Sequence, residues 1–225
     1  NKLDQEAGIR VNDPGNPGRT FISGKGLAFP SIMPDSQADK LNSVIEESNK
    51  QVAGMIRLLN EYLEKQEVDI VLSVEEIMEK TAVNLLRERH VAQMLRMKLE
   101  AKAESDLEFY ELLNAVYAGA SFQKKRSDIA GTEDELRAKL LKSGAPAFVP
   151  EDEKAFLPLE EIIEIIEDAG GIPTYPLLLD GAGDTITEFE NGKEQLLKSL
   201  IERGFSSIEF IPLRNELAIL KEYAG

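Results

Sequence analysis

Hydrophobic positions are irregular over the first thirty residues and periodic after that. Residues 8–30, GIRVNDPGNPGRTFISGKGLAFP, hold two turn signals, Asp13-Pro14-Gly15 and Asn16-Pro17-Gly18, ahead of a short apolar run at Thr20 to Ser23. Proline presets φ and glycine supplies positive φ, so the stretch reads as loop, short strand, loop. Leu41, Ile45, Ser48, Val52, Met55, Leu59 and Tyr62 then recur in steps of four and three. That spacing predicts a long helix from Asp35 or Ser36 to about Lys65, with one polar position in its seam. The repeat lasts only about three heptads, so the stripe is expected to pack on helices of its own chain.

Further helices are expected after a cap at Ser73, from about Leu85, from Leu107 to Tyr117, and from Glu133 to Lys142 before Gly144. SFQKKRSDIAGTED, residues 121–134, reads as a polar linker with Lys124-Lys125-Arg126 as a solvated run. From Ala145 the character changes. An extended stretch leads to a helix, Pro158 to Ala169, closed by Gly170-Gly171. A strand at Ile172 to Leu179, a helix at Lys193 to Arg203, a strand at Ser207 to Ile211 and a helix at Glu216 to Tyr223 follow. Strands alternating with helices predict parallel pairing through crossover helices. Pro173 and Pro176 mark the first strand as an edge or a special position. The expected divisions are 1–33, 34–144 (all-helical) and 145–225 (α/β).

Ligands of parallel sheets and barrels sit at the carboxyl ends of the strands. Here those ends carry Asp180 and Asp184 after one strand, and Arg214 and Asn215 after the other. Asp180 can supply an oxygen ligand or simply form an Asp-Gly turn with Gly181. Glu209 can do the same if it points inward, or serve as the solvent-facing position between Ile208 and Phe210. Arg214 can clamp a phosphate bidentately or pair with nearby acids.

Charge and composition narrow the partners. The formal net charge is −15 at pH 7, which repels a nucleic-acid backbone unless a basic patch is local. Arg87, Arg89, Arg96 and Lys98 lie near a helix, turn, helix pattern, but its turn lacks glycine. Nucleic acid is therefore not the expected partner. With no cysteine and one histidine, His90, a metal site built by this chain would be mostly carboxylate, favouring Mg, Mn or Ca. Neither GxxxxGK[ST] nor GxGxxG is present. No apolar run approaches about 18 residues, so no membrane span is expected and the setting points to the cytoplasm. The chain starts at Asn1 and stops within a helical pattern, so a longer parent protein is expected.

The order of these elements resembles the PHP (polymerase and histidinol phosphatase) family, in the subgroup whose distorted β/α barrel carries a helical insertion. GRTFISGKGL looks like the strand that ends His-Leu-Leu-Gly in that family. QVAGMIRLLNEYLEK and LSVEEIMEK look like the start of the insertion, and RERHVAQML like its helix bearing a histidine. LLKSGAPAFVPE is similar to the segment that re-enters the barrel. LEEIIEIIEDAGGIP resembles the helix before the Ala-His-Pro strand, and LIERGFSSIEFI the later Gly-x-x-x-Ile-Glu strand.

The resemblance implies an α/β fold, part of a PHP-type barrel, and metal-dependent hydrolysis of a phosphate ester. The implied cofactor is a divalent metal (Mn, Mg or Zn), and the implied substrate is a small phosphate ester or a nucleotide. Asp180 and Glu209 are then the candidate metal ligands, and Arg214, Asn215, Tyr175 and His90 the candidate substrate contacts. The departures are specific. Phe21 stands where the first family histidine is expected, and Leu177-Leu178 where Ala-His-Pro is expected. The opening His-x-His motif is not in these residues. Residues 1–225 alone are thus expected to be inactive. The rival readings are a non-catalytic PHP-like ligand-binding or assembly protein, and a helical DNA-binding or interaction module.

Overall fold

The computed structural model describes residues 11–12, 18–30, 33–178, 187, 189–190, 192–211, 217 and 221. The chain divides into two compact units, one of residues 42–155 and one of residues 1–41 with 156–225. The sequence placed its divisions at 33/34 and 144/145. Among the described residues no helix is long and apolar enough to cross a membrane.

The 42–155 unit is helical. It contains most of α1 (Asp35–Lys65), then α2 (Val74–Thr81), α3 (Glu88–Lys102), α4 (Asp106–Val116) and α5 (Ile129–Leu140). Ser48, Val52, Met55 and Leu59 of the expected seam are buried, Ile56 and Leu63 join them, and Leu41, Ile45 and Tyr62 are only partly buried. Leu95, Leu99, Phe109, Leu113, Leu136 and Leu140 complete one continuous core. Short polar side chains start the helices by accepting otherwise unpaired N–H groups. The Ser73 hydroxyl accepts from Glu76 (3.1 Å), Ser105 from Glu108 (3.2 Å) and the Asp128 carboxylate from Gly131 (3.0 Å).

Two boundaries move from their expected places. Helix α3 starts at Glu88 rather than near Leu85, because the Leu86 N–H donates to Asn49 Oδ1 (2.7 Å) on α1. Helix α5 starts at Ile129, inside the expected linker, because Asp128 caps it and Thr132, Leu136 and Leu140 form a buried stripe. Arg126 is not a freely solvated charge. Its guanidinium meets Glu100 at 2.6 Å and Asp106 at 3.1 Å.

The other unit is α/β. Its described elements are β1 (Ser23–Lys25), the first turns of α1, α6 (Leu159–Asp168), β2 (Ile172–Leu177), α7 (Lys193–Glu202) and β3 (Ser207–Phe210). The sheet order is β1-β2-β3. Strands β2 and β3 are parallel, as the helix and strand alternation predicts, with Tyr175 beside Ile208. Strand β1 runs antiparallel to β2, with Ser23 beside Thr174, and begins later than the Thr20 to Ser23 run. The described sheet is therefore mixed, where a run of parallel strands was expected.

Strand β2 is central despite its prolines, which lack the N–H a ladder uses. Each lies outside one of the two ladders: Pro173 pairs with Gly24 of β1 but precedes the β3 pairs, and Pro176 pairs with Glu209 of β3 but lies past the β1 pairs. Pro173 accepts the N–H of Ser206, the residue before β3, at 3.2 Å. Pro176 lies past the last β1 pair, and its carbonyl accepts the Asn12 side-chain amide at 2.9 Å. The double glycine before β2 has two separate causes. Gly170 takes φ +71°, the left-handed cap that ends α6. A Cβ on Gly171 would lie 2.6 Å from Leu27 Cδ2 and 3.0 Å from the Ile166 carbonyl oxygen. Leu159 and Ile163 of α6, Leu196 and Leu200 of α7, and Tyr175 and Leu177 of β2 share one small core with Val11 and Phe205.

Candidate functional site

Alternation along a strand sends successive side chains to opposite faces. Tyr175 and Leu177 enter the core with Ile208, under α6 and α7. Thr174 and Pro176 of β2, with Ser207 and Glu209 of β3, take the other face. That face carries the polar groups of the sheet.

Glu209 is two-thirds covered there. Its carboxylate meets the Lys25 ammonium at 2.8 Å, from the end of β1 on the far side of β2. Phe21 leads into β1 with its ring half-exposed. Its backbone is held by Asn12, whose Oδ1 accepts the Phe21 N–H (2.8 Å) and whose Nδ2 donates to the Phe21 carbonyl (3.0 Å). Since the same Nδ2 reaches Pro176, one buried amide joins the β1 approach to the end of β2. Leu177 is fully buried in the core.

Tyr175 lies in the core rather than at a surface. Its hydroxyl donates to Glu190 Oε1 at 2.8 Å, and the Thr187 hydroxyl donates to Glu190 Oε2 at 2.9 Å. All three side chains are fully buried. Phe205 packs edge-on to the Tyr175 ring at 5.5 Å. A carboxylate removed from water needs such donors, because each unmet polar group costs about 1–3 kcal/mol. The sequence hints at none of this beyond an acid fifteen residues after a tyrosine.

His90 belongs to the helical unit. It sits in the first turn of α3, where Nδ1 accepts the Arg87 N–H at 3.1 Å. Burial, then the nearby Arg89 and Arg87 charges, hold its pKa below the ordinary imidazole value. A neutral ring is what that acceptor role requires. Asp180, Arg214 and Asn215 lie outside the described residues, as does Asp184. Of the candidate residues, the structure therefore places Tyr175 and Glu209 on opposite faces of the sheet and His90 in the other unit.

A divalent metal needs several oxygen or nitrogen donors around one point. Among the described residues no group of three or more His, Asp or Glu side chains is arranged to hold one. Glu209 already has a cation at contact distance, and Phe21 and Leu177 offer no donor. The described residues do not fit the metal that the resemblance implies.

No family model matches the chain, and no curated protein matches it. A solved structure from Bifidobacterium adolescentis, described as a "putative metal-dependent phosphoesterase", is similar at 14% identity with a TM-score of 0.34. The likeness covers 78% of this chain and 52% of that one, so the chain spans about half the length of that structure. A TM-score this low carries no argument for a shared fold or activity.

Proposed function

We propose that this chain is part of a PHP-like phosphoesterase, a hydrolase of small or nucleotide phosphate esters, with its site at the carboxyl ends of β2 and β3. One observation carries the reading. The helical unit lies in the chain between β1 and the α6–β2–α7–β3 run, so an all-helical insertion interrupts an α/β unit containing a parallel crossover. That is the layout of the subgroup the sequence resembles. Asp180 follows β2 by three residues and Arg214 follows β3 by four. In this reading the Arg214 guanidinium binds the ester's phosphate oxygens in a bidentate pair, with Asn215 donating beside it. Water adds to phosphorus as the bond to the leaving alcohol breaks, and the cationic clamp offsets charge on the phosphoryl oxygens.

A specific observation favours a second reading, a non-catalytic protein that keeps the scaffold for ligand binding. Glu209 is engaged by Lys25, and Leu177 fills the core where a ligand histidine is expected. Turnover separates the two. The protein made from its complete reading frame is assayed against a generic phosphate monoester and a nucleoside monophosphate, with and without added Mn or Mg. Turnover above background supports the hydrolase. A well-folded protein with no turnover on either ester, under any metal condition, supports the second reading instead.

A further inference from the structure

The chain leaves β2 at Leu177 and comes back to the same strand before α7 begins at Lys193. The return is fixed from inside. Glu190 is fully buried, and its two carboxylate oxygens accept separately, Oε1 from the Tyr175 hydroxyl of β2 at 2.8 Å and Oε2 from the Thr187 hydroxyl at 2.9 Å. The Glu190 N–H also donates to the Thr187 carbonyl at 3.2 Å. Thr187 and Glu190 are therefore joined through backbone and side chain, and Tyr175 ties both to the strand. The Phe189 ring lies beside Tyr175, with centroids 6.3 Å apart. In sequence, residues 179–186 stand between the two ends that this cluster brings together, and they include Asp180 and Asp184. Joining the ends of a segment removes conformations otherwise open to the residues between them. Breaking the join leaves a buried polar group without its partner, which makes it a costly tie to undo.

We infer that Tyr175, Thr187 and Glu190 form a clasp that fixes where the chain returns after β2, which makes Tyr175 and Glu190 positioning residues for the stretch bearing Asp180 and not groups that meet a ligand. Neither side chain has surface through which to touch a substrate. The bearing of the clasp on a phosphate-ester site rests on the reading proposed above. It deepens that reading by giving Tyr175 a role behind the strand end.

Backbone order parameters, from nuclear magnetic resonance relaxation of the whole protein, test the clasp in three forms: unaltered, Tyr175→Phe and Thr187→Val. Each substitution removes one hydroxyl and nearly keeps the side chain's size. Order parameters report fast motion of the folded state, so a modest loss of stability does not move them. In the unaltered protein, values near about 0.85 are expected at residues 187–190, as for rigid backbone. Tyr175→Phe is expected to lower them toward about 0.6 from 179 to 190 and to leave α6 and the helical unit unchanged, with a smaller fall in Thr187→Val. Values below about 0.6 at 179–186 in the unaltered protein overturn the inference, as does an unchanged profile in Tyr175→Phe or a fall shared equally by α6. No substrate, phosphate or metal is added, so the clasp stands or falls separately from the phosphate-ester reading.

Discussion

In the helical unit the buried polar side chains among the described residues are Ser48 and Thr132, and the charges stay at the rim. In the α/β unit they are Asn12, Thr20, Gln37, Thr174, Thr187 and Glu190. The helical unit pairs its charges on the surface of an apolar core, as Glu88 does with Arg137 at 2.8 Å and Lys142 at 2.5 Å. The α/β unit places hydrogen-bonding groups inside, where Asn12 reaches Pro176 of β2 and Glu190 meets Tyr175 of the same strand. Buried polar groups do little for stability beyond offsetting their own desolvation. Their concentration around β1 and β2 separates a unit built for packing from one whose interior sets the position of particular chain segments.

Substitution tests this contrast most strongly in the helical core. Leu59→Ala and Leu95→Ala each remove a fully buried side chain. Each is expected to lower unfolding free energy by about 2–5 kcal/mol in urea titration. Smaller losses would mean that this core is looser than its burial indicates. Tyr175→Phe removes only an oxygen, but leaves Glu190 Oε1 without that donor. A loss of about 1–3 kcal/mol is expected. A near-neutral result would show that the Tyr175–Glu190 bond is unimportant to the α/β unit.

Rim charges should matter less. Burial acts to raise the Glu88 pKa, but the hydrogen bonds and charges of Lys142 and Arg137 outweigh it, and the net shift is downward. A lowered folded pKa gives stability that is present above the ordinary carboxylate range, about 4.3. That stability is lost as pH falls through the lowered value. Glu88→Gln should remove this part of the acid slope and cost no more than about 1 kcal/mol near neutrality. An unchanged acid limb would contradict the pairing.

His90 gives the smallest effect. Its lowered pKa means that the neutral ring is favoured in the folded state, so its contribution is present above about 6.5 and fades as pH falls below that. His90→Gln should remove the part of the stability loss that sets in as pH falls below about 6.5 in the unaltered protein. Nuclear magnetic resonance titration of the single imidazole checks the direction of the shift independently. A ring that titrates above the ordinary value would refute the acceptor role toward Arg87.

Much of the fold could be read from local signals. The α1 stripe and the Ser73 cap are short-range patterns, and Gly170 meets the φ requirement where α6 ends. The start of α3 could not, because it depends on a bond from Leu86 to Asn49, thirty-seven residues earlier. The central place of β2 was also hidden. Its prolines argue for an edge until β1 proves short enough to leave Pro176 to Asn12. The candidate site was legible only as residue types at strand ends. Glu209 could be named from alternation, but its partner Lys25 is set by the sheet order. Tyr175 looked available to a ligand because nothing local announces a buried Glu190.

The most direct test of the central claim is inorganic phosphate binding by the whole protein, followed by phosphorus nuclear magnetic resonance, with Arg214→Ala as the comparison. A site at the ends of β2 and β3 predicts saturable phosphate binding that weakens about tenfold or more in Arg214→Ala, the loss of a charged hydrogen-bond pair worth at least ~1.5 kcal/mol. Equal binding by the two proteins, or no binding by the unaltered one, would contradict a phosphate-ester site at these strand ends.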